Sequence, residues 1–210
     1  MFEDREQAAI RLADAVAEQT PKNPLVLALP RGGVPLAVKV SERLGAPLDL
    51  LLVRKIGMPG NPEYAAGAVV GGTEPITLFN DRSLASQGLS PADFKGQVTK
   101  LLSEIERRRD VYLKGRQKQP VAGRTAILVD DGIATGATVR VAVKALRQQG
   151  PSAIWVAVPV APKDAREILE TEADRVICLE TPTPFIAVGV HYRQFGQVSD
   201  EEVVRLLSPE

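Results

Sequence analysis

Hydrophobic residues follow two different spacings along this chain, and the two spacings alternate. Short continuous apolar runs, which are typical of strands buried on both faces, occur at 25–29, 48–53, 125–129, 153–159 and 175–179. Apolar residues spaced three or four apart, as on the buried face of a helix, occur at 2–17, 35–44, 91–113, 137–149, 163–172 and 200–207. The alternation predicts an α/β fold, with a Rossmann-like parallel sheet and helices on both faces.

Glycine and proline interrupt this alternation between the second strand and the long helix. The segment 54–63 contains two prolines and two glycines, and we expect it to lack regular structure. Residues 64–70 and 76–79 flank Gly71-Gly72-Thr73, a pattern that indicates a hairpin or a short turn between strands. A brief helix is expected at 81–87.

The chain length suits one well-packed domain, since 210 residues already bury a large core. We expect a single domain over 1–210, with hood or accessory elements at 81–120 and 182–210. The arginines at 107–109 are expected on the solvent-facing side of the long helix rather than in a nucleic-acid patch.

Charge and cysteine content narrow the class of protein. Lysine plus arginine equals aspartate plus glutamate at 26 each, so no global field favours nucleic acid or an anionic membrane. The single cysteine, Cys178, cannot form an internal disulfide, which fits a reducing compartment. Residues 1–19 resemble neither a secretory signal nor a membrane span. We expect a cytoplasmic protein that binds neither nucleic acid nor membrane.

The segment from Val129 to Thr138 carries the strongest chemical signal. It places Asp130 and Asp131 at the end of a strand and then a loop with two glycines before a helix. The backbone N–H groups of such a loop favour an anion, and carboxylates accept hydrogen bonds from hydroxyls. The pattern indicates a site for a sugar phosphate, although an acidic pair at a strand end also occurs as a helix cap or metal site.

Two further loops, 30–33 and 54–63, also follow predicted strands. Ligands of open parallel sheets gather at these carboxyl ends. With one cysteine and one histidine, the chain lacks the residues for a Cys–His nucleophile pair and for most zinc sites. It also lacks the glycine-rich signatures of nucleoside triphosphatases and of dinucleotide-binding proteins.

The segment Val129–Thr138 resembles the phosphoribosyl-pyrophosphate motif of type I phosphoribosyltransferases. Residues 29–34, Leu-Pro-Arg-Gly-Gly-Val, look like the pyrophosphate loop of that family, and residues 53–60 are similar to the flexible-loop entrance of its adenine-type members. The likeness covers most of the span 25–179. It implies the type I phosphoribosyltransferase fold.

The resemblance also implies roles for the donor-binding residues. Asp130 and Asp131 would accept hydrogen bonds from the ribose hydroxyls, directly or through Mg²⁺. The 5-phosphate would lie in the following loop, formed by Gly132, Ile133, Ala134, Thr135, Gly136, Ala137 and Thr138. The pyrophosphate would meet Arg31, the backbone of Pro30, Gly32 and Gly33, and Lys55. Arg31 could instead form a simple salt bridge, and Lys55 could merely be solvated.

Acceptor recognition is less defined by the sequence. Members that act on 6-oxopurines carry an aspartate where this chain has Ala134. The motif therefore resembles those of adenine-type and orotate-type members more closely. Glu63 is the one carboxylate of its loop and a candidate acid or base. Phe185 and Tyr192 are candidate platforms for a heterocycle, or else packing residues of a hood. The long helix belongs to the same hood or to a homodimer contact.

The resemblance thus implies a magnesium-dependent phosphoribosyltransferase, a pentosyltransferase of nucleotide metabolism. It would transfer ribose 5-phosphate from phosphoribosyl pyrophosphate to a nitrogen nucleophile, with a nucleobase as the leading acceptor. The alternative is a non-catalytic sensor that binds phosphoribosyl pyrophosphate or a nucleotide. A phospho-accepting signalling domain fits less well, because its acidic pair would lie near the N-terminus.

Overall fold

A five-stranded parallel sheet forms the centre of the protein. The computed structural model describes residues 1–71 and 74–208, with the side chains of residues 62 and 63 excepted. The strands are β1 (Pro24–Ala28), β2 (Leu48–Leu50), β3 (Val53–Met58), β4 (Asn61–Val70), β5 (Ile76–Phe79), β6 (Thr125–Val129), β7 (Ala153–Val160) and β8 (Arg175–Glu180). The large sheet has the order β2-β1-β6-β7-β8, and its four neighbouring pairs are all parallel.

Helices cover both faces of this sheet, as the sequence predicts. They are α1 (Arg5–Ala17), α2 (Gly33–Leu44), α3 (Asp81–Ser86), α4 (Lys95–Leu113), α5 (Ala137–Gln148), α6 (Lys163–Glu172) and α7 (Asp200–Leu207). Side chains alternate along β1: Val26 and Ala28 join a core with α1, α2, α4 and α7, whereas Leu25 and Leu27 join a core with α5 and α6. The predicted fold class is therefore confirmed.

The strand order creates a switch point between β1 and β6. From β1 the chain crosses outward to β2, whereas from β6 it crosses the other way to β7 and β8. The connections diverge there and leave a crevice beyond the carboxyl ends of the two strands, which is where open α/β sheets bind ligands. The loops after β1 and β6 therefore share one edge of the sheet.

The prediction that 54–63 lacks regular structure is wrong. Residues 53–58 and 61–70 form an antiparallel hairpin, which β5 extends to a second, three-stranded sheet. Pro59 and Gly60 are the turn between the strands, and Gly60 has the positive φ of 75° that a glycine accommodates. Proline and glycine therefore mark the hairpin turn here. The predicted turn at 71–73 includes residues 72 and 73, which lie outside the described residues.

The long helix begins later than predicted and buries one of its arginines. Residues Pro91–Phe94 form a separate 3₁₀ turn, in which the Asp93 carboxylate accepts a hydrogen bond from the Ser90 N–H (2.7 Å). Arg109 of α4 is only 4% exposed and donates twice to Asp49 of β2 (2.6 and 3.1 Å). The expectation that all three arginines face solvent is wrong for Arg109, because a buried acid lies opposite it.

Candidate active site

The loop after β6 forms a small polar cradle at the start of α5. Buried Ile133 donates its N–H to the Val160 carbonyl oxygen (2.9 Å), which fixes the middle of the loop. Gly136, with a φ of 76°, brings the chain into the helix. A cavity of about 140 Å³ is lined by Asp130, Gly132, Ile133, Ala134, Thr135, Gly136, Ala137, Thr138 and Val139. Because a helix N-terminus opens into it, the cavity suits an anion.

The loop after β1 approaches these acids so closely that only glycine fits. A Cβ atom on Gly32 would lie 2.1 Å from Oδ2 of Asp131, and one on Gly33 would lie 2.5 Å from the Val129 carbonyl oxygen. The peptide bond between Pro30 and Arg31 is cis. The two loops predicted separately are thus in contact and belong to one site.

The acidic pair is crowded and only partly exposed. The Asp131 N–H donates to Oδ1 of Asp130 (2.9 Å). Burial, together with the neighbouring Asp131 charge, raises the pKa of Asp130 well above its usual value. Burial also raises the pKa of Asp131, although the hydrogen bonds from Arg5 oppose that effect. Positive charge or hydroxyl donors brought to this pair would therefore be stabilising.

Arg5 is a site residue that the sequence did not reveal. Its Nε and one terminal nitrogen donate to Oδ2 of Asp131 (3.0 and 2.8 Å), and the other terminal nitrogen donates to the Gly196 carbonyl oxygen (2.5 Å). The guanidinium lies 3.8 Å from the centre of the Phe195 ring. No local motif marks Arg5, since it is the first residue of α1 and its partners lie far along the chain.

A second cavity, of about 550 Å³, also borders the acids. It is lined by Arg5, Pro30, Arg31, Gly32, Asp130, Asp131, Val188, Phe195, Gly196, Gln197 and Val198. Arg31 lies 3.4 Å from Oδ1 of Asp200, which also accepts a hydrogen bond from the Tyr112 hydroxyl (2.7 Å). Asp130 lines both this cavity and the cradle, so the two compartments adjoin at that residue.

Comparison with known proteins places the chain in a family. The family model described as phosphoribosyl transferase domain matches residues 2–194. The chain belongs to that family. Its sequence is 44% identical over 207 residues to a Mycobacterium tuberculosis protein that is provisionally named a phosphoribosyl transferase, found in strains H37Rv and CDC 1551. The match covers 99% of this chain and 46% of the relative, so the chain spans about half the length of the curated relatives it matches.

A solved structure supports the fold of this phosphoribosyl transferase domain over its whole length. The crystal structure of the protein TT1426 from Thermus thermophilus shares 41% sequence identity with the chain and superposes with a TM-score of 0.83. The match covers 98% of this chain and 97% of TT1426. The arrangement of strands and loops described above is therefore shared with a solved protein.

The C-terminal aromatic residues have different environments in this family member. Tyr192 is 5% exposed, packs against Phe2 and Phe195, and donates its hydroxyl to the Asp131 carbonyl oxygen (2.5 Å). Its ring is buried, which favours the alternative of packing within the hood over a platform for a heterocycle. Phe185 is half-buried and stacks at 5.0 Å on His191.

Phe185 borders a third cavity, of about 610 Å³. Its lining consists of Ala134, Thr135, Pro162, Lys163, Asp164, Glu167, Pro182, Thr183, Phe185 and Ile186. Because Ala134 and Thr135 also line the anion cradle, this cavity adjoins the cradle. Phe185 is the aromatic residue of this lining.

The remaining candidates, Lys55 and Glu63, lie on the strands of the antiparallel hairpin. Lys55 is exposed on β3 and is not among the residues that line the two cavities beside Asp130. Glu63 lies on β4, but its side chain is outside the described residues.

None of the helices within residues 1–71 and 74–208 is long and apolar enough to cross a membrane.

Proposed function

We propose that the protein is a magnesium-dependent phosphoribosyltransferase. It transfers ribose 5-phosphate from phosphoribosyl pyrophosphate to a nitrogen nucleophile and releases pyrophosphate, in the cytoplasm. The observation that carries the proposal is the junction of three parts at one sheet edge: the anion cradle, the acidic pair and the arginine-bearing loop, with Gly32 directly against Asp131. Membership of the phosphoribosyl transferase family supports it.

The donor is expected to lie across the two adjoining cavities. Its 5-phosphate would occupy the cradle, where backbone N–H groups and the Thr135 and Thr138 hydroxyls are donors. Its pyrophosphate would occupy the cavity lined by Arg31 and the Gly32 backbone. The ribose then lies at Asp130, where the cavities meet, and its hydroxyls donate to the carboxylates.

The acidic pair fits a magnesium ion shared with the substrate. Among the described residues, no group of three or more histidine, cysteine, aspartate or glutamate side chains could form a metal site. Mg²⁺ commonly needs just one or two carboxylates, because substrate phosphates and waters complete its shell. Asp130 and Asp131 would hold the ion, which when bound neutralises the charge of the pyrophosphate leaving group.

The chain's own groups would act on the sugar carbon. As the bond from C1 to the pyrophosphate oxygen breaks, its electron pair leaves with pyrophosphate and C1 gains positive charge, as in glycoside hydrolysis. Carboxylates near the ring stabilise that charge. The acceptor nitrogen forms the new bond to C1 from the opposite face, with inversion, and then loses its proton. Glu63 stays a candidate for receiving that proton, and Lys55 for contacting pyrophosphate.

We propose a nucleobase or a similar nitrogen heterocycle as the acceptor. The cavity beside Ala134 and Thr135 supports this choice, because it offers the Phe185 ring next to the cradle. Phe185→Ala should raise the KM of the acceptor about tenfold, since an aromatic stacking contact to a base contributes roughly 1–3 kcal/mol. The KM of phosphoribosyl pyrophosphate should stay within about twofold.

The test combines the protein with Mg²⁺, phosphoribosyl pyrophosphate and a panel of bases while pyrophosphate release is monitored. Release that depends on one acceptor class supports the proposal. The double substitution Asp130→Asn and Asp131→Asn should abolish transfer while circular dichroism shows a folded protein. Measurable binding of phosphoribosyl pyrophosphate without release for any acceptor would instead support the sensor alternative.

A further inference from the structure

The two acids of the site have different surroundings, and Arg5 makes the difference. Oδ2 of Asp131 accepts both Nε and a terminal nitrogen of Arg5, and the same oxygen lies against the Gly32 backbone. Both side chains of this pair are only 14% exposed. Asp131 is therefore held between α1 and the loop after β1.

Asp130 keeps an oxygen for a ligand. Within the part of the chain that the structure describes, its side chain accepts a hydrogen bond at Oδ1, from the Asp131 N–H. It lines both the anion cradle and the second cavity, which Arg5 and Arg31 also line, whereas Asp131 lines that second cavity but not the cradle. A sugar between a 5-phosphate and a pyrophosphate would lie where the two cavities join, which is at Asp130.

The position of Arg5 is fixed before any ligand arrives. The Asp4 side chain caps α1 by accepting from the Gln7 N–H (2.8 Å), so the backbone of Arg5 starts the helix. The guanidinium is also stacked on the Phe195 ring and donates a hydrogen bond to the Gly196 carbonyl oxygen. A planar guanidinium can make these contacts at once, whereas an ammonium cannot.

We propose that Arg5 is a positioning residue that divides the acidic pair. It holds Asp131 through Oδ2 as an anchor between α1 and the loop after β1, which leaves Oδ1 of Asp131 for the ion and Asp130 for the ribose hydroxyls of the donor. The inference rests on the proposed function and deepens it, because it assigns unequal roles to two adjacent carboxylates. Arg5 lines the cavity proposed for pyrophosphate, but its guanidinium is occupied by Asp131, Gly196 and Phe195, so Arg5 acts through Asp131.

The test measures binding instead of turnover. Isothermal titration calorimetry with ribose 5-phosphate, and separately with inorganic pyrophosphate, is carried out in the presence of Mg²⁺. Asp130→Asn should weaken ribose 5-phosphate binding at least about tenfold more than Asp131→Asn does. Arg5→Gln should weaken it about tenfold and leave pyrophosphate binding within about threefold. Arg5→Lys should recover part of the loss.

Controls separate a positioning role from general damage. Arg11 lies on the same helix, pairs with Glu180, lies over the Phe2 ring and lines neither cavity beside Asp130. The variant Arg11→Gln should therefore bind ribose 5-phosphate like the wild type. Because Arg5 acts through Asp131, the effect of Arg5→Gln should depend on Asp131. Arg5→Gln should weaken ribose 5-phosphate binding less in the Asp131→Asn variant than it does in the wild type. If Arg5→Gln does not fold, the comparison of Asp130→Asn with Asp131→Asn still tests the inference, because both of these variants keep Arg5.

Equal losses for Asp130→Asn and Asp131→Asn would overturn the inference, because the acids would then share one role. The inference would also be overturned if Arg5→Gln weakened pyrophosphate binding as strongly as ribose 5-phosphate binding, since Arg5 would then contact the leaving group directly. Wild-type protein that binds neither ribose 5-phosphate nor phosphoribosyl pyrophosphate would overturn the proposed function itself, and the inference with it.

Discussion

Asp130 is a residue whose charge opposes folding. Burial and the neighbouring Asp131 charge raise its pKa, so the ionised form is less favourable in the folded protein than in the unfolded chain. The cost is fully present above the raised pKa, and it vanishes below about pH 4, where the acid is protonated in both states.

We therefore expect Asp130→Asn to stabilise the metal-free protein while it abolishes transfer. The free energy of unfolding in urea at pH 7 should rise, because an amide at this buried position has no charge to desolvate. The gain should shrink as the pH falls toward 4. A variant that is less stable than wild type at pH 7 would contradict this account of the site.

Gly32 is a second residue with a specific steric requirement. Gly32→Ala would place a Cβ 2.1 Å from Oδ2 of Asp131, so either the loop or the carboxylate must move. We expect a loss of transfer of at least about a hundredfold, because a displacement of about 1 Å in a site can have that effect. The steady-state rate of pyrophosphate release measures it.

Gly96→Ala is the matched control for Gly32→Ala. Gly96 lies in α4, and a Cβ there would meet nothing within 4 Å. The control should keep wild-type transfer and raise the free energy of unfolding by roughly 0.5–1 kcal/mol, because alanine is the better helix residue. Wild-type transfer in both variants would show that the loop tolerates a side chain at 32.

Sequence reasoning found the site residues that belong to contiguous motifs and missed those assembled from distant segments. Asp130, Asp131 and the cradle are neighbours in the chain, and their spacing carries the signal. Arg5 and Asp200 reach the site only through the packing of α1 and α7, so no local pattern marks them. For the same reason, the aromatic content around Tyr192 could not show that its ring is buried.

At the level of elements, the pair formed by Asp49 and Arg109 ties the edge strand β2 to α4. Both side chains are buried, and Asp49 also accepts hydrogen bonds from the Leu50 and Gln119 N–H groups (2.7 and 2.8 Å). Removing one partner of a buried ion pair leaves the other charge uncompensated.

Arg109→Ala should therefore lower the free energy of unfolding by about 3–5 kcal/mol, as measured by urea denaturation. Arg107→Ala, at an exposed position two residues earlier, should change it by less than about 0.5 kcal/mol. Equal effects of the two substitutions would mean that the buried pair does not anchor β2 to the helix.

Elements were predictable where apolar periodicity is sustained. Continuous apolar runs predict the five strands of the large sheet, and apolar residues spaced three or four apart predict the helices that cover it. The hairpin at 53–70 was missed because Pro59 and Gly60 break the pattern in the middle of what is one folded unit. The pairing of its two strands, which decides the structure, is not encoded in the composition of the turn.

For the molecule as a whole, the site joins residues from both ends of the chain. Arg5 comes from α1, Arg31 from the loop after β1, and Asp200 from α7. The two segments proposed as a hood are in contact through α4 and α7, where the Tyr112 hydroxyl donates to Asp200. These long-range contacts support our proposal of one domain.

One domain with one ligand site should unfold in a single transition that the donor shifts. Phosphoribosyl pyrophosphate with Mg²⁺ at 100 times its Kd should add about 2.7 kcal/mol to the free energy of unfolding. Differential scanning calorimetry should show one peak that moves upward with donor, and Asp130→Asn should show no such shift. Two peaks, of which only one moves, would contradict the single-domain proposal.

Phe2 and Tyr192 lie side by side, although 190 residues separate them in the chain. A ribosome that adds roughly 5–20 residues per second needs on the order of 10–40 s to cover that distance. During this interval the apolar ring of Phe2 has no aromatic neighbour to cover it, and Arg5 has no Phe195 or Gly196 to hold it. Asp130 and Asp131 are therefore synthesised before Phe195 and Gly196, the residues that hold Arg5 against the acids.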